Sequence, residues 1–189
     1  MNYFKPDFER YMCALKLEEP DRVPLGEWEI IKMVKEEFLG KKITSFEEEI
    51  EFWANAGFDY VPVRSGIMES PNAPQKVSGE LTKSEYSEKK SRQWAMEHDG
   101  IVTNWQEFDK FTFPSVEELN FSHWDEYDKL LPAGMKTIFI FGKILTPVWM
   151  YMGSENFFYS LKEDEELVAA IFEKVIDVQY KVFERVIEH

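Results

Sequence analysis

Glu27, Trp28, Arg64, Gly142 and Lys143 stand where an α/β protein usually does its chemistry. Glu27 and Trp28 follow the short apolar run Val23-Pro24-Leu25. Arg64 follows "FDYVPV", and Gly142 and Lys143 follow "MKTIFIF". Each lies just past the carboxyl end of a segment that reads as a strand, and residues so placed line the ligand site of parallel α/β folds. A carboxylate, an indole, a guanidinium and an ammonium offer acid–base work, stacking and anion binding. Each also has a plainer use. Glu27 suits the first turn of a helix, where the dipole favours a carboxylate, and Arg64 can pair with one of many surface acids. Asp59 differs, because it opens a strand that is otherwise apolar. A carboxylate there has to find donors or stay at the rim. Bonding to a nearby turn and facing a ligand both meet that demand.

Other chemistries lack their residues. No phosphate loop and no dinucleotide glycine fingerprint is present. His98, His123 and His189 lie far apart without ligand spacing, and His98 reads as a surface residue beside a turn. The single cysteine, Cys13, rules out a Cys-based zinc site and an internal disulfide and fits a reducing compartment. Its neighbours Tyr11, Met12 and Leu15 make it an inert thiol on a buried helix face. The net charge of −14, from 22 basic and 36 acidic residues, excludes nucleic acid as a partner and disfavours an anionic membrane. No apolar run nears the roughly 18 residues a membrane helix needs, and the charged N-terminus is no signal peptide, so a cytoplasmic location is expected. Aromatic residues are abundant, with 16 Phe and 6 Trp. Large rings fill cores, and they also suit a protein that encloses a flat, bulky ligand.

The elements that must position these side chains follow from periodicity and punctuation. Residues 7–17 read as a helix capped by Asp7, with Phe8, Tyr11, Met12 and Leu15 on one face. Val23–Leu25 reads as a short strand and 28–38 as a helix stopped by Gly40. Thr44 and Glu47 form a capping-box pattern ahead of a helix carrying Phe46, Ile50, Trp53 and Ala54. After Gly57 comes the strand 58–63, with Pro62 expected at its end because it cannot donate to a ladder. Helix, Gly stop and strand in this order are the αβ unit of a parallel sheet. The stretch from about 76 to 114 breaks that rhythm. "SRQWAMEHDGIVTNW" reads as a hairpin turning at Asp99-Gly100, and Ser115 and Glu118 repeat the capping-box pattern. Residues 135–143, apolar throughout their middle, read as a strand buried on both faces. The last helix, capped by Asp164, carries two adjacent apolar stripes, suited to packing on a sheet.

Three of these stretches resemble the uroporphyrinogen decarboxylase family: "EPDRVPL" after an opening helix, "AGFDYVPV", and "GKILTPVWMYMGSENFFYSLKEDEELVAAIFEKV". The resemblance runs over essentially the whole chain and is firmest in the last stretch. It implies an (α/β)8 barrel of TIM type, of which this single domain would be the first half: about three parallel strands, their helices and an inserted hairpin. The family holds two chemistries. One decarboxylates the acetate arms of uroporphyrinogen without a cofactor. The other moves methyl groups between corrinoids and thiols with a zinc-bound thiol. By the resemblance, Asp59 matches an aspartate that binds pyrrole N–H groups, and Tyr151 matches, within about one residue, a tyrosine that assists it. The arginines that hold substrate carboxylates in the decarboxylase fall on Glu29 and Met33. A glutamate there repels an octa-anionic substrate, for which bidentate arginine is the usual partner.

The expectation is therefore a relative of the corrinoid-linked methyltransferases, with Asp59 and Tyr151 catalytic and Glu27, Trp28, Arg64, Gly142 and Trp149 lining the substrate site. Corrinoid and zinc would belong to the complete enzyme, and no metal ligand is expected in this chain. A true decarboxylase is the first alternative. A half-barrel that binds a tetrapyrrole without turnover, or assembles with a second copy or a separate C-terminal half, is the next.

Overall fold

A computed structural model describes residues 5–74, 77–78, 93–94 and 100–189, the two short segments by backbone alone. The described residues are mixed α and β and divide into two compact units. The first comprises residues up to Arg64 and Asn120–Ile140, the second Ser65–Leu119 and Phe141–His189.

In the first unit, α1 (Phe8–Leu15) starts where Asp7 accepts a hydrogen bond from the Glu9 N–H. It is followed by α2 (Lys32–Leu39), which ends on Gly40 at φ 68°. An L side chain in that left-handed region is strained, and glycine is the usual residue there. Helix α3 (Phe46–Asn55) is capped by Ser45 rather than Thr44. The Thr44–Glu47 box does not form; instead the Thr44 N–H and hydroxyl both donate to Glu48.

Strand β1 (Tyr60–Arg64) then pairs in parallel with β4 (Lys136–Ile140), in a register from Tyr60 opposite Lys136 to Arg64 opposite Ile140. Tyr60, Val61 and Val63 are buried, as neighbours on both faces of a parallel strand require. Pro62 sits at the centre of β1, opposite Ile138, not at its end. A strand with one partner has an open edge, where a residue without an N–H costs no ladder bond. Helix α5 (Ser122–Leu130) lies between the two strands in sequence. It packs Tyr127 edge-on against Phe46 at 4.9 Å and Trp124 against Phe139 at 4.7 Å.

Val23–Leu25 is not a strand among the described residues. Val23 is 83% exposed, so three residues bracketed by Pro20 and Gly26, with Pro24 between them, have neither a ladder nor a core to join. The second predicted helix likewise starts only at Lys32, leaving 28–31 as coil.

The second unit is largely helical. Strands β2 (Val77–Ser78) and β3 (Gln93–Trp94) pair antiparallel. Asp99 lies outside the described residues, as does His98, and residues 101–104 form no strand. Instead the Ile101 and Val102 N–H groups both donate to the Tyr151 carbonyl. Gly100 is required by close approach: a Cβ there would stand 1.9 Å from the Met152 carbonyl oxygen. Helix α4 (Trp105–Lys110) is capped by Asn104. Ser115 and Glu118 form the expected capping box, at a 3-10 turn rather than an α-helix.

Helices α6 (Leu145–Met152) and α7 (Ser154–Glu163) lead to α8 (Glu165–Glu188), where Asp164 accepts from the Leu167 N–H. Leu167, Ile171, Val175, Val178 and Val182 are buried, which is one predicted stripe. Of the second stripe, Val168 is buried, while Ile176, Phe183 and Ile187 are exposed.

Candidate ligand site beside the first parallel strand

Within the first unit, the chain leading out of Gly26 is pinned to β1 by one phenol. The Tyr60 hydroxyl accepts from the Glu27 N–H at 2.7 Å and donates to the Glu27 carbonyl at 2.8 Å. Burial raises the Tyr60 pKa, so the phenol stays neutral and can do both. The Glu27 carboxylate folds back on its own turn, accepting from the N–H groups of Trp28 (3.0 Å) and Glu29 (3.3 Å). Glu27 thus shapes the loop, and the loop presents its neighbours. The Trp28 indole is 72% exposed, and the Glu29 carboxylate lies 2.6 Å from the Arg64 guanidinium at the carboxyl end of β1.

Between this loop and β1, α3 and α5 lies a cavity of about 940 Å³, lined among others by Trp28, Glu29, Lys35, Trp53, Arg64 and Tyr127. Several of its polar groups are paired. Lys35 forms a salt bridge with Glu49, which also accepts from the Trp53 indole N–H at 2.9 Å. The Lys35 ammonium lies 5.7 Å from the centre of the Trp53 ring, within cation–π range. Burial, then the charge of Glu49, pushes the Tyr127 phenol up to about 12. Trp28 and Arg64, expected from the sequence as substrate-facing, therefore meet at one cavity. The sequence reading missed Lys35, Glu49 and Tyr127 and took Trp53 for core alone. Glu49 and Trp53 are one helical turn apart on α3, a spacing the sequence does show; Lys35 on α2 and Tyr127 on α5 join them only through the fold.

Asp59 stands at the other end of β1 from Arg64. It is fully buried, and its carboxylate accepts from Arg10 at 2.5 Å, from Arg22 at 3.3 Å and from the Asp7 N–H at 2.9 Å. Arg10 turns its remaining donors to Asp21, at 2.5 and 3.0 Å. That hydrogen bond, with the charge of Asp59 behind it, raises the Arg10 pKa. The same bond, with the charge of Arg10, lowers the pKa of Asp21. Arg22 also donates to the Gly57 carbonyl at 2.9 Å. Of the two uses left open for Asp59, this geometry is the structural one. It ties α1 and the following turn to the start of β1, and no face of the carboxylate meets solvent.

Tyr151, Trp149 and Gly142 belong to the second unit. The Tyr151 side chain is fully buried, its hydroxyl donates to the Asn72 carbonyl at 3.0 Å, and Phe111 and Phe113 each meet its ring at 5.4 Å. Burial raises its pKa far above the ordinary phenol value. Tyr151 is thus a neutral, satisfied core residue. Trp149 is half-buried, and Gly142 is exposed at φ 84° with open space around it. The Lys143 carbonyl accepts from the Gln179 amide at 2.8 Å.

Among the described residues no group of three or more His, Cys, Asp or Glu side chains could hold a metal ion. No described helix is long and apolar enough to cross a membrane. No family model matches the chain, and no curated protein or solved structure matches it either.

Proposed function

We propose that this chain forms the opening part of an (α/β)8 barrel of the uroporphyrinogen decarboxylase family, from the branch that moves methyl groups with corrinoids, and that the cavity beside β1 receives the flat ligand. The observation that carries the reading is the meeting of Trp28 and Arg64, from the ends of two separate segments, at one cavity of about 940 Å³. The parallel pairing of β1 with β4 agrees with it. So does the place of Arg64, since barrel enzymes build their sites at the carboxyl ends of strands. A cavity of this size can take a large ligand.

The charges favour methyl transfer over decarboxylation. Arg64 is taken by Glu29 and Lys35 by Glu49, which leaves Lys32 alone among the lining lysines and arginines to meet an octa-anionic porphyrinogen. A corrinoid would bring its own methyl-carrying cobalt. The part of this chain is to stack the ring on Trp28, to orient it with Arg64 and to keep water from its inner face. The described residues do not fit a zinc site.

One observation favours a second reading, ligand binding without turnover: Asp59 and Tyr151, the residues expected to be catalytic, are both sealed and satisfied. Tryptophan fluorescence of the chain titrated with methylcobalamin tests the binding common to both readings. Saturable quenching is expected, weakened about fivefold in Trp28→Ala. Methyl transfer from methylcobalamin to a thiol selects the first reading over the second. Decarboxylation of uroporphyrinogen at an ordinary enzymatic rate would reject both.

A further inference from the structure

We propose that Glu29 is the specificity-determining residue of the cavity beside β1: its carboxylate sits on Arg64 as a ligand carboxylate would, so the site takes flat ligands that are neutral where they meet Arg64 and turns away flat carboxylates. This rests on reading the cavity as a ligand site, but not on the ligand being a corrinoid.

The lining shows why one pair decides. Arg64 and Lys35 both face the cavity, yet their pairs differ in depth. The Lys35 and Glu49 side chains are 12% and 19% exposed, and Glu49 is also held by the Trp53 indole. That pair is fixed in the wall. The Arg64 and Glu29 side chains are 36% and 58% exposed. Their pair stands at the mouth, where an arriving ligand meets it first. Lys32, the remaining lining cation, is 64% exposed and 4.0 Å from Glu36.

Arg64 is therefore the cation that a ligand carboxylate would seek, because a guanidinium offers two parallel donors to one carboxylate. Glu29 has already taken that place, and it does not diffuse away. The turn built by Glu27 and Tyr60 holds its backbone beside the strand end. A tethered group competes as though present at millimolar concentration or above. Trp28, next in sequence, offers an indole face to any flat ring that enters. Ring stacking and an occupied cation together select for an aromatic ligand without a carboxylate at that point.

The test uses two probes that share a ring and differ in charge, 1-pyrenecarboxylate and 1-pyrenemethanol, read by energy transfer from tryptophan. The unaltered chain should bind the alcohol more tightly. Glu29→Gln should gain about fivefold for the carboxylate, a size set by an exposed pair, and nothing for the alcohol. Glu29→Ala should repeat this. The gain should vanish in Glu29→Gln/Arg64→Gln and be absent in Glu47→Gln, which removes a charge from the same lining without touching Arg64. Equal carboxylate affinity with and without Glu29, a gain that survives loss of Arg64, or no binding of either probe would overturn the proposal. Methylcobalamin is titrated beside them. If the pyrene pattern holds and methylcobalamin does not bind, the corrinoid reading fails and the role of Glu29 stands. The reverse outcome rejects Glu29 alone.

Discussion

Asp59 shows how burial decides what a carboxylate can be used for. Fully enclosed, it is tolerable only because Arg10, Arg22 and the Asp7 N–H surround it. Asp59→Asn keeps the shape and removes the charge, leaving two guanidinium groups facing a neutral amide. Breaking a buried pair from one side is strongly destabilising, so urea unfolding should show a loss of about 3 kcal/mol. Asp21→Asn removes the outer carboxylate, whose side chain is 67% exposed; exposed pairs contribute little, and its unfolding midpoint should stay near that of the unaltered chain. Tyr127 supplies a pH dependence. Its ordinary value of 10 is raised to about 12 in the fold. Below pH 10 both states hold the proton. Between the two values the unfolded chain releases it while the fold retains it, so stability falls as pH rises through that window. Tyr127→Phe should flatten this part of a stability–pH curve measured by denaturant unfolding. Tyr151, raised in the same direction, keeps its own share of the slope in that variant.

At the scale of elements, α8 is the clearest case of local sequence and structure agreeing. Asp164 caps it, the acids Glu165 and Glu166 fill its first turn, and its first apolar stripe is buried from Leu167 to Val182. Asp164→Ala should cost about 1 kcal/mol in unfolding experiments. Ile171→Ala, at a fully buried position of the same helix, should cost about 2–5 kcal/mol. A smaller loss at Ile171 than at Asp164 would mean that the helix is held by its own backbone rather than by packing. Elements defined by repeated short-range signals were legible in this way: α1 with Asp7, the stop at Gly40, the turn at Ser115 and the two parallel strands. Those that depend on a distant partner were not. Pro62 reads as a strand end, yet it lies mid-strand, which is tolerated because among the described residues β1 pairs with β4 alone. Val23–Leu25 has strand-like residues but, among the described residues, no neighbour to pair with. The candidate site divides along the same line. Trp28 and Arg64 are found by position after strands. The pairs Arg64–Glu29 and Lys35–Glu49 join residues whose separation in the chain carries no period, so only the fold reveals that these two cations of the cavity are spoken for.

For the whole molecule, two properties oppose one another. The chain carries a net charge of −14, which keeps copies apart over about one Debye length, roughly 10 Å at 0.1 M salt and 3 Å at 1 M. Against this stand surfaces that invite contact. Among the described residues β4 pairs with β1 alone, so one edge of a parallel strand is unpaired, and an unpaired edge is a template for another chain. On α8, Ile176, Tyr180, Phe183 and Ile187 are each at least 44% exposed and recur at helical spacing, which makes an apolar stripe of the kind that marks an association surface. Charge repulsion is screened by salt, whereas apolar burial and strand pairing are not. Self-association should therefore strengthen with ionic strength. Sedimentation velocity at 0.05 M and 0.5 M sodium chloride should show the average mass rising at the higher salt. Phe183→Glu should reduce that rise if the helix stripe drives it, and should leave it unchanged if the β4 edge does. A chain that sediments as a monomer at both salt concentrations would show that neither surface is sufficient, and that the charge is not what holds copies apart.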